Sequence, residues 1–177
     1  MPKKNEFKIV LFIIAFVITF SLGLGAYYLY SRYNVEKPLL AQIDGLSSVE
    51  ESVMDKQDNI YTISVTLGRV ENVQEIYKQL DEVARQKLGK RQYQIIINTQ
   101  NNTIMDRVHY DIQPIVYEAL ANNQYVWMKD EIGKFARQEQ IKYKMFVDDN
   151  RVYLQFSDGD DYQYYIVDRN SSKQETA

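Results

Sequence analysis

The residues from Ile9 to Ser31 contain no charged side chain, and this segment constrains most strongly how the chain can fold. At a rise of about 1.5 Å per residue, a helix of roughly twenty apolar residues crosses a hydrocarbon core about 30 Å thick. A helix at the surface of a globular core would carry a polar face, which this run lacks. The run therefore predicts an N-terminal transmembrane helix over residues 9–31 that anchors the chain in a lipid bilayer.

The charges that flank this segment favour one orientation. Three lysines precede it within residues 1–8, whereas only Arg32 and Lys37 follow it closely. Positively charged flanks remain on the cytoplasmic side of a membrane. We therefore expect a single-pass protein of the cell membrane, with residues 1–8 in the cytoplasm and the C-terminal domain outside it.

A cleaved signal peptide is the alternative interpretation, because Gly23, Gly25 and Ala26 are small enough for a cleavage site. Signal-peptide cores span only about 7–15 residues, so the longer run favours an uncleaved signal-anchor. Aromatic rings at the far end of the run are typical of a membrane interface. They belong to Tyr27, Tyr28, Tyr30 and Tyr33.

The charge and composition of the whole chain argue against several classes of function. The chain has 21 Lys and Arg against 24 Asp and Glu, and the two signs are interspersed, which does not favour nucleic-acid binding. It has no cysteine, and therefore no disulfide, thiolate nucleophile or cysteine-bound metal. This composition suits an exported domain of a bacterial cell envelope that does not depend on disulfides.

The length that follows the membrane segment predicts one folded domain rather than two. We expect a juxtamembrane linker over residues 32–42, in which Pro38 interrupts any straight continuation of the membrane helix. An extracytoplasmic α/β domain then covers residues 43–168. Residues 169–177 are polar and are expected to form a disordered tail.

Two strands are predicted at the start of this domain. Residues 61–67 alternate between apolar and polar side chains, which is typical of a half-buried strand. Residues 49–54 predict an earlier strand that pairs with it through a polar link over residues 55–59.

A helix and a third strand complete a β-α-β unit. Asn72 and Glu75 have the spacing of a capping box, and Gly89 is the residue type that ends a helix in a left-handed conformation. The strand over residues 93–98 contains the run Ile95–Ile97, which indicates a central strand buried on both faces. Strands joined by a helix of this length are expected to be parallel.

The second half of the domain predicts helices followed by a meander. Apolar side chains from Ile104 to Leu120 recur at helical spacing, but Pro114 leaves open whether residues 103–110 are helix or strand. A further helix has apolar positions at Met128, Ile132, Phe135 and Ala136. Three antiparallel strands are indicated by alternating segments at 141–147, 152–156 and 162–167. The elements together predict an α+β fold, a two-layer α/β sandwich with a mixed sheet, behind the N-terminal helix.

Two constellations of polar side chains have the composition of ligand sites. The histidine His109 has Asp106 and Asp111 nearby, which favours acid-base or metal chemistry, but a structural histidine is the simpler interpretation. Two acidic clusters are candidate calcium ligands, although Asp is also common in hairpin turns. The clusters are Asp148 and Asp149, and Asp158, Asp160 and Asp161. Turn formation is the preferred interpretation, and no catalytic, cofactor-binding or metal-binding residue is assigned.

Tyrosines are concentrated in the predicted C-terminal sheet. They either form a surface that binds a partner or stabilise the sheet through aromatic pairing across strands, and pairing is the preferred interpretation. The residues are Tyr143, Tyr153, Tyr162, Tyr164 and Tyr165.

The stretch Ile43–Val49, with the alternating strand and capped helix that follow, resembles the ring-building domains of bacterial secretion and sporulation channels. The resemblance covers the first half of the domain only and implies a membrane-anchored, self-associating protein. The chain contains no phosphate loop, nucleophile elbow or HExxH motif. We therefore expect a non-catalytic domain for protein–protein interaction or assembly, either with itself or with an unknown protein partner. The alternative is a sensor or carrier domain that binds a small ligand between helices and sheet.

Overall fold

The computed structural model describes residues 4–98 and 103–169. Its elements are α1 (Lys4–Ser31), a π-helical turn (Arg32–Glu36), α2 (Lys37–Asp44), β1 (Val49–Gln57), β2 (Ile60–Leu67), α3 (Val73–Leu88), β3 (Tyr93–Asn98), α4 (Thr103–Asn122), α5 (Tyr125–Gln138), β4 (Lys142–Val147), β5 (Arg151–Asp158) and β6 (Asp161–Asp168). The strands form one mixed sheet, β1-β2-β3, and one antiparallel sheet, β4-β5-β6. The predicted α+β fold with an N-terminal apolar helix is confirmed.

Helix α1 contains the apolar segment. Its part from Lys8 to Ala26 is long and apolar enough to cross a membrane, and none of it is buried in the domain. The hydroxyl of Thr19 donates to the carbonyl of Ala15 at 2.9 Å, so this polar group is satisfied within the helix. The helix therefore has the properties of a membrane anchor or of a signal sequence.

The region between α1 and the domain differs from the predicted linker over residues 32–42. The chain continues from α1 through the π-helical turn into α2, and Pro38 lies in the first turn of α2, where proline is tolerated. Val35, Leu39 and Ile43 are buried in the core beside β2 and α3. The α-helix is interrupted just before Pro38 by the π-helical turn, and part of the predicted linker belongs to the folded domain.

Strands β1 and β2 form a hairpin with a tight turn. Asp58 and Asn59 have φ values of 48° and 65°, the left-handed conformation that both central residues of a type I′ turn adopt. Gln57 therefore pairs directly with Ile60. The first strand is confirmed but is longer than predicted, because the link that we placed over residues 55–59 is mostly strand.

The β-α-β unit is confirmed, since β2 and β3 are parallel and α3 lies between them in the chain. The side chain of Asn72 accepts the backbone N–H of Gln74 at 3.0 Å and that of Glu75 at 3.4 Å. The Glu75 carboxylate accepts the Asn72 side-chain amide at 2.9 Å, rather than the backbone N–H of a standard capping box. Gly89 follows the helix with a φ of 62°, as predicted.

The second half consists of two helices and the antiparallel meander. Residues 103–110 are helical, so α4 is continuous from Thr103 to Asn122 and contains Pro114 in its interior. Asn123, with a φ of 55°, separates α4 from α5. The strands β4, β5 and β6 agree with the predicted meander.

Burial differs from the prediction for β3, because the strand that is buried on both faces is β5. β5 is the central strand of its sheet and is buried from Val152 to Phe156, with α3 on one face and the α4–α5 pair on the other. β3 pairs only with β2 among the described residues, and Ile96 is 42% exposed. The prediction of a central, doubly buried strand at Ile95–Ile97 is therefore wrong.

Candidate binding groove

A cavity of about 350 Å³ opens between β3, β6 and one face of α4. We call it the β3–β6 groove. Its walls are residues 95–97 of β3, residues 164–167 of β6, Leu154 of β5, and side chains of α4 from His109 to Tyr117. Because side chains alternate between the two faces of a strand, a cavity over one face would touch alternate residues. The groove touches consecutive residues of both strands and therefore reaches their edges, and it also touches Leu154 of β5.

The β3 wall presents backbone groups that pair with no second strand within residues 4–98 and 103–169. The backbone N–H of Tyr61 donates to the carbonyl of Gln92 at 3.0 Å, which fixes the direction of the ladder between β2 and β3. Backbone groups alternate in direction along a strand, so the even-numbered residues of β3 bond to β2. The N–H and C=O groups of Ile95 and Ile97 point away from β2 toward the groove.

The β6 wall has the same property. The backbone N–H of Arg169 donates to the carbonyl of Asn150 at 2.8 Å, and β5 and β6 pair in register from that point. By the same alternation, the backbone groups of Tyr164 and Ile166 point away from β5. The groove is therefore lined by hydrogen-bonding groups from two strand edges.

The third wall is a mostly apolar face of α4. Ile112 and Val116 are buried there and form the floor. His109 stacks on Tyr165 with ring centroids 4.3 Å apart, and the side-chain nitrogen of Gln113 lies 3.4 Å from His109 Nε2. The polar groups on this wall are thus few and are already engaged with protein neighbours.

His109 lies in the groove, where its ring meets an aromatic side chain and an amide. Its contacts are with Gln113 and Tyr165, and Asp111 is exposed on the same helix. The side chain of Asp106 lies outside the described residues. Stacking of the imidazole on an aromatic ring agrees with the simpler interpretation of a structural histidine.

The acidic clusters lie in the turns that the sequence predicted. Asp148 Oδ1 accepts the backbone N–H groups of Asn150 and Arg151, and Asp148 Oδ2 accepts the Tyr153 hydroxyl at 2.9 Å. Burial opposes ionisation of this carboxyl, but these hydrogen bonds and nearby Lys78 outweigh it and lower the pKa of Asp148. Within residues 4–98 and 103–169, no three His, Asp or Glu side chains form a group that could hold a metal ion.

The tyrosines of the C-terminal sheet are largely part of the core. Tyr153, Tyr162 and Tyr164 are buried, and Tyr143 stacks on Phe156 of the neighbouring strand. The Tyr164 hydroxyl donates to the carbonyl of Gly68 at 3.0 Å and accepts the backbone N–H of Val70 at 2.9 Å. Burial raises the pKa of Tyr164 to about 12. These contacts agree with a stabilising role for the tyrosines.

Sequence reasoning missed the groove, although it singled out several of its residues for other reasons, among them His109, Tyr164 and Tyr165. The signal was the run Ile95–Ile97, which is too apolar for an edge strand. The second signal was the pair Tyr110 and Tyr117 on α4, which are 71% and 60% exposed. Neither signal identifies a groove until the strand order is known.

The groove has the chemistry of a recognition site, with apolar side chains, aromatic groups at the rim and backbone donors and acceptors in its walls. It brings together no nucleophile with a base and no cluster of carboxylates among the described residues. Comparisons with protein-family models, curated proteins and solved structures give no match to this chain.

Proposed function

We propose that this chain is a single-pass membrane protein whose folded domain lies outside the cytoplasm and binds a partner protein without catalysis. The observation that carries this proposal is the β3–β6 groove. An exposed apolar recess with unpaired strand edges is typical of a surface that binds another polypeptide.

The surface beside the groove supports a protein partner. Tyr117 lies at the rim and Tyr110 lies two helical turns earlier on the same side of α4, both largely exposed. Ile96 adds exposed apolar area on the β3 wall. Exposed tyrosines and aliphatic side chains around a recess are the residue types enriched at protein interfaces.

The connection to α1 supports action close to the membrane. α1 leads through one π-helical turn into α2, and Leu39 and Ile43 of α2 are fully buried in the domain. A membrane-embedded α1 would hold the domain within a short distance of the bilayer surface. Such restriction raises the effective concentration of the domain for partners held at the same surface.

Site-specific photo-crosslinking in the cells that produce the protein tests partner binding. A benzophenone amino acid at Tyr117 is expected to give a discrete protein adduct. The matched control is the same amino acid at Val126, which is 79% exposed on α5 and does not line the groove. Equal adducts at both positions, or none at either, would contradict the proposal.

Protease digestion of intact cells and spheroplasts tests the topology. An epitope at the C-terminus should remain with the membrane at full size and be cleaved from outside. A shortened soluble product would indicate a cleaved signal sequence, and a protected epitope would place the domain in the cytoplasm.

A small apolar ligand is the second candidate for the same groove. Its volume of about 350 Å³ lies at the lower end of ligand-pocket sizes, and His109 and Gln113 provide polar groups on one wall. Under this proposal the domain is a sensor or carrier. A rise in melting temperature with fatty acids or other small apolar compounds, in the absence of any protein, would support it over the first candidate.

A further inference from the structure

The four edge strands of the two sheets differ in the features that prevent an edge from pairing with another strand. β1, one outer edge strand, carries Glu50, Glu51 and Lys56 and has an irregularity in its register between Val49 and Glu51. β4, the other outer edge strand, carries Lys142 and Lys144. Charges and bulges of this kind prevent an edge from pairing with another strand.

The two edges at the groove lack this protection. β3 reads Tyr-Gln-Ile-Ile-Ile-Asn, and β6 has its charges only at its ends, Asp161 and Asp168. An apolar strand edge with unpaired backbone groups pairs readily with an added strand. Of the four edge strands, β3 and β6 are therefore the two at which an added strand can pair.

We propose that an extended segment of a partner protein occupies the β3–β6 groove as an added β-strand. Its backbone bonds to the N–H and C=O groups of Ile95 and Ile97, and apolar side chains on one of its faces pack against Ile112 and Val116 of α4. This inference rests on the proposed function and names the mode of binding.

The backbone groups decide between an extended peptide and other occupants. An acyl chain or the apolar face of a helix would bury the groups of Ile95, Ile97, Tyr164 and Ile166 without hydrogen bonds. A backbone group that is buried without a hydrogen-bond partner weakens binding, because it loses its bonds to water and gains none. An extended peptide covers the same apolar surface and satisfies the groups of the strand edge with which it pairs, which is the basis of strand addition.

Charge at the groove specifies the flanks of the partner segment. β3, β6 and α4 from Val108 to Asn122 contain four acidic residues and neither Lys nor Arg. These residues lie around the groove rather than in its lining, and they are Asp111, Glu118, Asp161 and Asp168, of which Asp168 pairs with Arg151 at 2.8 Å. The matching segment therefore alternates apolar and polar residues and carries Lys or Arg on its flanks.

Peptide display on the full chain in detergent micelles provides the test. Libraries of ten-residue peptides are selected in parallel against the wild type and against Ile95→Pro, which removes an N–H that faces the groove and no bond to β2. Alternating apolar peptides with basic flanks should be enriched on the wild type alone. Enriched peptides are then synthesised with N-methyl groups at alternate residues, in both registers, and at least one register should bind about tenfold or more weakly.

If Ile95→Pro does not fold, the N-methylated peptides still test the proposal, because their binding is measured on the wild-type chain. Peptides that bind equally with and without N-methyl groups would overturn strand addition, as would a selection that enriches nothing. A wild-type dimer that Ile95→Pro abolishes would make the occupant a second copy and overturn a separate partner. Crosslinking at Tyr117 without any strand-like binder would leave partner binding intact and overturn this mode alone.

Discussion

At the scale of single residues, the tyrosine hydroxyls show how burial sets the pH range of stability. Tyr77 of α3 is buried, its ring contacts Tyr153 edge to face at 5.6 Å, and the Arg151 guanidinium lies 4.8 Å from the ring centre. Burial raises the pKa of Tyr77 from 10.0 to about 12, although Arg151 opposes the rise. The neutral hydroxyl is therefore the form that the fold accommodates.

The raised pKa predicts an alkaline loss of stability that Tyr77→Phe reduces. Between pH 10 and about 12 the unfolded tyrosine ionises before the folded one, so the free energy of unfolding falls in this range. We expect Tyr77→Phe to leave the free energy of unfolding at pH 7 nearly unchanged. By pH 12 the variant should have lost up to roughly 2 kcal/mol less of this free energy than the wild type. Urea unfolding followed by circular dichroism measures both values. Tyr110→Phe, at a 71% exposed position, is the control and should retain the wild-type alkaline loss.

Asp148 predicts the opposite behaviour at acid pH. Its lowered pKa means that its contribution is present above the ordinary value of 3.8 and is lost as the pH falls through the folded-state value. Asp148→Asn should lower the free energy of unfolding by about 1–2 kcal/mol at pH 7, since it weakens charge-assisted hydrogen bonds in the β4–β5 turn. The difference in the free energy of unfolding between Asp148→Asn and the wild type should disappear as the pH falls into the acid range. A difference that stays constant, or an equal effect of Asp149→Asn at the exposed neighbour, would contradict this assignment.

At the scale of secondary-structure elements, α2 connects the membrane segment to the core. Leu39 is fully buried beside β2 and α3, whereas its neighbour Leu40 is only partly buried. Removal of a buried leucine side chain costs about 2–5 kcal/mol. We expect Leu39→Ala to cost this much and Leu40→Ala to cost clearly less, as measured by urea unfolding followed through Trp127 fluorescence. Equal and small losses of unfolding free energy in the two variants would mean that α2 is a solvated linker, as its sequence suggested.

Elements that local patterns specify were predictable, and those that depend on strand order were not. The cap at Asn72, the turn at Gly89 and the alternation of residues 61–67 are properties of neighbouring residues, and the structure has each of them. Whether a strand is central depends on what packs beside it. Ile95–Ile97 therefore suggested a central strand, while β5 holds that position with Tyr153 and Gln155 on its second face.

The groove could not be predicted from the sequence, because it also depends on strand order. It requires β3 and β6 to be neighbouring edges, and that neighbourhood joins residues about seventy positions apart. Local periodicity carries no information about such distant neighbours. Around Pro38 the outcome is divided. A π-helical turn does precede this proline, but the burial of Leu39 in the core depends on distant strands and helices and was not evident from local sequence.

At the scale of the whole molecule, the two sheets are held together by hydrogen bonds to the loop before α3. The side-chain amide of Gln155 donates to the carbonyl of Val70 at 2.7 Å, and its oxygen accepts the backbone N–H of Val73 at 3.3 Å. Tyr164 bonds to the same loop at Gly68 and Val70. β5 and β6 therefore fix the start of α3, and with it the position of the first sheet relative to the second.

This arrangement predicts that the two buried glutamines of the second sheet differ in importance. Gln155 and Gln163 are equally buried, but Gln163 Oε1 has no hydrogen-bond partner in the part of the chain that the structure describes. Gln155→Leu leaves the carbonyl of Val70 and the N–H of Val73 buried and unpaired, so it should lower the free energy of unfolding by about 1–3 kcal/mol. Gln163→Leu, the matched control, should cost at least about 1 kcal/mol less because it removes one unpaired polar atom. Amide hydrogen exchange should also show faster exchange at Val73 in Gln155→Leu alone. Equal destabilisation by both changes, with Val73 unaffected, would mean that packing rather than this bridge holds the two sheets in place.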